Sequence, residues 1–165
     1  MRELQPGLWH WQAPHPEWTS DQWWPQAVSS YAYDDGDRLL FFDPLAVPSE
    51  IEELAAGREP VVVLTSPWHE RDTRSLVERL GAPVFTPPPD EGTPDVAWLL
   101  GGGQGDGHLY SAGDRLPVGV EALPGRLPND LVLWIESRRA VIAGDTLVDF
   151  GNGVNEVVGA IRNSL

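Results

Sequence analysis

The sequence contains no cysteine, which excludes disulfides, thiolate metal sites, iron–sulfur clusters and cysteine nucleophiles. Positive charge is also scarce: 11 Lys and Arg stand against 25 Asp and Glu, for a formal net charge of −14. This balance argues against binding to nucleic acid or to anionic membranes, because both require a basic surface. No apolar run approaches the roughly 18 residues of a membrane span, and the N-terminus lacks the apolar core of a signal peptide. We therefore expect a cytoplasmic protein.

The chain has 165 residues, of which 41% are hydrophobic, enough for one domain with a core spanning residues 1–165. Its 17 glycines and 16 prolines predict a fold rich in turns. The N-terminal segment, residues 1–27, is rich in tryptophan and proline, which predicts aromatic packing or an aromatic-lined pocket. Five of the eight tryptophans lie in it: Trp9, Trp11, Trp18, Trp23 and Trp24.

The order of predicted elements indicates an α/β layered domain with two sheets. Val28–Tyr33 and Arg38–Phe42 form a predicted hairpin, and Val61–Thr65 is apolar on both faces, as a buried parallel strand is. Ser66 and Pro67 then predict the start of a helix over residues 67–80. Leu131–Glu136 and Ala140–Ala143 predict a second hairpin.

Local composition alone predicts the structure of four further segments. Asp95–Leu100 is predicted as a strand and Gly101–Gly107 as a loop, whereas Leu123–Asp130 is predicted as a rigid loop between strands. Val154–Ser164 is predicted as a short helix.

Two segments contain side chains that could bind a metal or act as acid–base groups. On a helix over residues 67–80, His69 and Asp72 share a face and could ligate a divalent ion or act as an acid–base pair. The plainer interpretation is that they cap the helix or form ion pairs at its start. Asp145 directly follows the apolar strand Ala140–Ala143, and a carboxylate there is costly unless it is paired or bound to a metal.

Taken in order, these segments resemble the metallo-β-lactamase superfamily. That family places an H-x-H-x-D-H motif after a strand ending in Leu-Thr, here Leu64-Thr65, and later a Pro-Gly-His loop, here Pro124–Arg126. A Gly-Asp follows at a strand end, here Gly144-Asp145, and the early strand that ends in an aspartate corresponds to Phe41–Pro44. The resemblance covers roughly residues 28–150 and implies an αββα sandwich. The chain ends 20 residues after Asp145 (165 − 145) and no histidine follows His108, so we expect a sandwich shortened at its C-terminus, or truncated after about residue 150.

The departures from the family pattern fall on its metal ligands. In the notation of the motif, Pro67 replaces the first histidine, Arg71 the aspartate and Asp72 the last histidine, and Arg126 replaces the histidine of the Pro-Gly-His loop. We therefore predict an eroded metal site in a pseudoenzyme or small-ligand-binding module without a cofactor, in which Arg71 and Arg126 bind an anionic ligand.

Two alternatives stay open. In the first, His69, Asp72 and Asp145 hold one zinc, manganese or iron ion, and the protein hydrolyses an ester, thioester or amide, with Asp72 and Asp145 as the candidate catalytic groups. In the second, a missing final strand leaves an open sheet edge that favours a homodimer.

Overall fold

The computed structural model describes residues 1–90, Trp98, 107–149 and 154–156. Twelve strands and two α-helices have their bounds in these ranges. The strands are β1 (Arg2–Gln5), β2 (Leu8–Pro14), β3 (Ala27–Asp34), β4 (Arg38–Phe42), β5 (Glu59–Val63), β6 (Val84–Thr86), β7 (Gly107–Leu109), β8 (Val120–Leu127), β9 (Asp130–Ile135), β10 (Ala140–Ile142), β11 (Leu147–Asp149) and β12 (Val154–Glu156). The helices are α1 (Ser49–Leu54) and α2 (Thr73–Leu80).

A seven-stranded sheet in the order β1 to β7 forms the centre of the molecule. Its first four strands pair antiparallel, and β4 to β7 pair parallel. A three-stranded antiparallel sheet, β10-β9-β8, packs on one face of this large sheet, and β11 pairs with β12 separately.

The central strands are buried on both faces, as their continuous apolar sequence predicts. In β4, Leu40 and Phe42 pack toward the small sheet, while Leu39 and Phe41 pack on the opposite face. That opposite face is covered by the apolar sides of α1 and α2, including Ile51 and Leu76. The layers are therefore helices, large sheet and small sheet, which confirms the predicted α/β layered fold with two sheets.

The helix predicted over residues 67–80 begins later than expected. α2 starts at Thr73, with Asp72 as its N-cap residue, and Gly81 ends it in a left-handed conformation. The earlier start was wrong because Arg71 has φ = 45°, which interrupts any helix from residue 67. His69 and Asp72 consequently do not share a helix face.

The predicted loop Leu123–Asp130 was also wrong. Residues 123–127 continue β8, and β9 begins at Asp130. The pairing shifts between Pro124 and Leu127, so a bulge accommodates the proline in the ladder.

Val154–Glu156 is a strand and not the start of a helix, and residues 157–164 of that prediction lie outside the described residues. The predictions for Asp95–Leu100 and Gly101–Gly107 also lie outside them, apart from Trp98, which is helical, and Gly107, which begins β7. No helix among the residues described is long and apolar enough to cross a membrane.

Candidate functional site

The candidate site begins where β4 and β5 end side by side. Asp43 follows β4 directly and is buried. Its Oδ1 accepts a hydrogen bond from the backbone N–H of Thr65 at 2.8 Å, and its Oδ2 accepts one from the Thr65 hydroxyl at 2.6 Å. Parallel pairing of the two strands brings these residues together, and the bonds fix the orientation of the buried carboxylate.

His69 lies between two carboxylates. Its Nδ1 is 3.0 Å from Oδ2 of Asp43, and its Nε2 is 3.3 Å from Oδ1 of Asp145. Burial lowers the pKa of His69, but the charge of Asp43 and hydrogen bonds to Asp145 and Asp43 outweigh burial and raise this pKa to about 9. At neutral pH the ring is therefore an imidazolium that donates from both nitrogens.

Asp145 lies in a short 3-10 turn after β10. Besides its contact with His69, its Oδ2 accepts a hydrogen bond from Nε1 of Trp68 at 3.1 Å. Burial alone would raise the pKa of Asp145, but the hydrogen bond and charge of His69, together with Trp68, lower this pKa to about 2. Asp145 is therefore an ionised partner of His69.

A second buried carboxylate, that of Asp130, fixes the turn that contains Asp145. Oδ1 of Asp130 accepts the backbone N–H of Asp145 at 3.3 Å, and its Oδ2 accepts the hydroxyl of Thr146 at 3.0 Å. Burial raises the pKa of Asp130. The backbone of Gly125 passes so close to this network that a Cβ there would lie 1.9 Å from the carbonyl oxygen of Asp130. The network requires glycine at position 125.

The two arginines predicted to bind an anion have different partners. Arg71 is turned inward, where its Nη1 donates to the carbonyl oxygens of Ser29 at 2.9 Å and Asp43 at 2.7 Å. Burial lowers the pKa of Arg71, although the guanidinium stays charged at neutral pH. The Arg126 guanidinium is 5.7 Å from the ring centre of Trp23, and its Nε is 4.0 Å from Oδ2 of Asp130.

Asp72, the third predicted metal ligand, is held elsewhere. Its Oδ2 accepts the backbone N–H of Ala46 at 2.6 Å, and no hydrogen bond or ion pair joins Asp72 to His69 or Asp145. The structure thus brings His69 and Asp145 together and leaves Asp72 at the start of α2.

Sequence analysis missed Asp43, Asp130 and Trp68 as site residues. The available signal for Asp43 was its position, since a carboxylate directly after the four apolar residues Leu39–Phe42 is buried and needs partners. Asp130 and Trp68 gave no such signal, because their contacts with the turn at Asp145 depend on the packing of the small sheet.

Comparison with known proteins gives a consistent result for the fold. No protein-family model matches the sequence, and no curated protein matches it significantly. Solved structures do match. The di-iron-bound form of TTHA1623 has 25% sequence identity and a TM-score of 0.53, with 73% of this chain and 68% of that chain covered. The BLEG-1 B3 metallo-β-lactamase has 18% identity and a TM-score of 0.55, covering 86% and 74%. The metallo-β-lactamase family protein TTHA1429 from Thermus thermophilus has 18% identity and a TM-score of 0.60, covering 90% and 62%.

The chain has the metallo-β-lactamase fold. The similarity confirms the fold expected from the order of Leu64-Thr65, Pro124–Arg126 and Gly144-Asp145.

The donor groups among the described residues do not form a complete set of ligands for a catalytic metal. A catalytic zinc site uses three protein ligands and a water. Within the ranges 1–90, 107–149 and 154–156 together with Trp98, no group of three or more His, Asp or Glu side chains is arranged to hold a metal ion. His69 and Asp145 supply two donors, and Nε2 of His69 is 3.3 Å from Oδ1 of Asp145.

Proposed function

We propose that this metallo-β-lactamase fold protein is a small-ligand-binding module in which an imidazolium and a guanidinium occupy the electrostatic position of a metal. The observation that carries the proposal is the placement of His69 between Asp43 and Asp145, with Nδ1 at 3.0 Å and Nε2 at 3.3 Å from a carboxylate oxygen. An imidazolium, which is protonated on both nitrogens, has no lone pair for a metal.

The local charges support the same proposal. Two carboxylates, Asp43 and Asp145, are balanced by two cations, His69 and Arg71, whose charges act on both carboxylates. A divalent ion added to this balanced cluster would place excess positive charge in a partly buried site, which is strongly unfavourable. The charges of these four groups balance without a metal.

Arg126 is the better candidate for binding an anionic ligand. Both hydrogen bonds of the Arg71 guanidinium go to backbone carbonyls inside the protein. The Arg126 guanidinium makes no hydrogen bond among the described residues, and the side chain is about a third exposed. We propose Arg126 as the anion-binding residue and Arg71 as an internal counter-charge.

A mononuclear metal-dependent hydrolase is the second candidate, with an ester, thioester or amide as substrate. One distance favours it: Nε2 of His69 and Oδ1 of Asp145 are 3.3 Å apart, close to the separation of about 3.4 Å between two ligands of one tetrahedral zinc ion. A bound metal would supply a water of lowered pKa. This candidate requires Asp72, or another donor, to leave its present partner and complete the ligand set.

Metal content distinguishes the two candidates. We would purify the wild-type protein, Asp145→Asn and Asp72→Asn without a metal-affinity column and measure zinc, manganese and iron by mass spectrometry. The proposal predicts far less than one ion per chain in all three proteins. Close to one ion per chain in the wild type, lost in Asp145→Asn, would overturn it and establish the hydrolase site.

The single-domain organisation over residues 1–165, the cytoplasmic location and a homodimer stay predictions from the sequence. Light scattering at several protein concentrations tests the dimer directly.

A further inference from the structure

The exposed ring of Trp23 and the guanidinium of Arg126 form a surface patch beside the candidate site. Arg126 lies over the Trp23 ring, with 5.7 Å from its central carbon to the ring centre. Trp23 is 52% exposed, although tryptophan is among the most costly side chains to leave in water. An exposed indole in contact with a cation is a surface that a ligand can cover.

The patch is connected to the buried cluster through β8 and the turn after β10. The backbone N–H of Arg126 donates to the hydroxyl of Thr146 at 3.0 Å, and that hydroxyl donates to Asp130. Asp130 in turn accepts the N–H of Asp145. The position of Arg126 is therefore fixed relative to Asp145, the residue that pairs with His69.

The Arg126 guanidinium has unused hydrogen-bonding capacity. Its Nε is buried, unbonded among the described residues and 4.0 Å from Asp130, whereas Nη1 and Nη2 also donate to none of these residues and are the donors left for a ligand. The Asp130 carboxylate already accepts two other hydrogen bonds, from Thr146 and from the backbone of Asp145. A planar guanidinium with free donors is the group that binds a carboxylate or phosphate through two parallel hydrogen bonds.

The pair of Arg126 and Trp23 differs in ring exposure from a second guanidinium–aromatic pair in the molecule. Arg138 lies over Tyr33 at 5.3 Å, but the Tyr33 ring is 3% exposed and belongs to the core between the sheets. That pair is internal packing, and no ligand can reach its ring. Of these two pairs, the one beside the candidate site has the accessible ring.

We propose that Trp23 and Arg126 bind a small planar aromatic anion, whose ring stacks on the indole and whose carboxylate or phosphate pairs with the guanidinium. This assignment rests on the proposed function as a ligand-binding module and specifies its ligand class. The overall charge of −14 repels anions, so the ion pair alone should bind an anion weakly. The added ring contact therefore makes the site selective for aromatic anions.

The test is a calorimetric titration with 2-naphthoate as the probe. Acetate carries the same charge without the ring, and 2-naphthylmethanol carries the ring without the charge. We expect saturable binding of 2-naphthoate in the millimolar range or tighter, about −4 kcal/mol or stronger. We expect each comparison compound to bind at least about tenfold more weakly.

Variants of Arg126 and Trp23 test the ion pair and the ring contact separately. Arg126→Gln and Trp23→Leu should each weaken 2-naphthoate binding at least about tenfold, since each removes one of the two interactions. The matched control Arg138→Gln, which alters the internal pair, should bind as the wild type does. Urea unfolding of each variant shows that it is folded in the titration buffer, and Arg126→Lys, which keeps the charge, should retain more affinity than Arg126→Gln.

The proposal is overturned if 2-naphthoate does not bind, if it binds equally to Arg126→Gln or Trp23→Leu, or if 2-naphthylmethanol binds as tightly. These outcomes are independent of metal content. If the protein binds neither metal nor naphthoate, the proposed ligand-binding function stands and this ligand class is wrong. If the wild type binds one metal ion per chain and Asp145→Asn does not, the proposed ligand-binding function is itself wrong.

Discussion

His69 and Asp145 meet at 3.3 Å although they come from different layers of the sandwich, one from the segment after β5 and the other from the turn after β10. On its other side, the same imidazole contacts Asp43 at the end of β4. One protonated ring therefore joins the end of a central strand of the large sheet to the turn after β10 of the small sheet. Without this ring, Arg71 would be the one cation acting on both carboxylates among the described residues, so the ring is expected to contribute strongly to stability.

Replacing the ring tests that contribution. His69→Ala leaves the buried carboxylates of Asp43 and Asp145 without their shared partner, and we expect it to lower the free energy of unfolding by about 3–5 kcal/mol. His108→Ala is the matched control, because His108 is an exposed histidine, and it should cost less than about 1 kcal/mol. Urea denaturation measures both. Equal stability of the two variants would show that the His69 contacts contribute little.

Stability should decrease as the pH rises from about 6.5 to about 9. The pKa of His69 is raised in the folded protein from 6.5 to about 9, so its contribution is complete below the unfolded-state pKa and is lost as the pH passes the folded-state pKa. The expected loss is about 3 kcal/mol. The low pKa of Asp145 reports the same ion pair, and the two contributions are not additive.

Unfolding curves recorded across this pH range check the prediction, with His69→Gln as the control. The variant should lack most of the decrease. A wild-type stability that is constant or rises between these pH values would contradict a protonated His69.

Gly125 should tolerate no side chain. In Gly125→Ala the new Cβ would meet the backbone carbonyl oxygen of Asp130 at 1.9 Å and the hydroxyl of Thr146 at 2.5 Å. We expect a loss of stability larger than the roughly 1–3 kcal/mol typical of overpacking, because the nearest atom is backbone.

Gly57→Ala is the comparison, since its Cβ would enter open space and only the positive φ of 92° is unfavourable. It should cost about 1 kcal/mol. Thermal unfolding ranks the two variants, and a Gly125→Ala protein as stable as Gly57→Ala would mean that β8 and β9 do not approach as closely as described.

Asp72 and Asp145 should act differently on His69. Asp145→Asn removes a negative partner and should lower the pKa of His69, whereas Asp72→Asn should leave that pKa unchanged, because Asp72 is bound to the backbone of Ala46. Titration of the histidine ring by NMR measures both. A decrease in the Asp72 variant as large as that in the Asp145 variant would place Asp72 in the site after all.

Much of the fold could be predicted from sequence because its strongest signals are local. The apolar runs at β4 and β5 and the turn residues between strands predict the strands around the site. The start of α2 could not be predicted in this way. Ser66 and Pro67 are good helix-start residues, but tertiary contacts take precedence: Arg71 adopts φ = 45° while its guanidinium bonds two backbone carbonyls.

The candidate site could be predicted only in part for the same reason. The order of motifs points to His69 and Asp145, which the structure places in contact. Their relation to Asp43, however, depends on the parallel pairing of β4 with β5, which no spacing in the sequence specifies. The argument that Asp72 shares a helix face with His69 requires a helix from residue 67, and the helix begins at Thr73.

The central claim, that the His69 imidazolium fills the position of a metal, is tested most directly by NMR of the histidine ring nitrogens. The spectrum should be recorded at about pH 7.5, before and after addition of zinc. We predict that both Nδ1 and Nε2 of His69 carry protons and that zinc leaves their signals unchanged. A neutral His69 ring whose Nε2 signal shifts on binding one equivalent of zinc would contradict the claim.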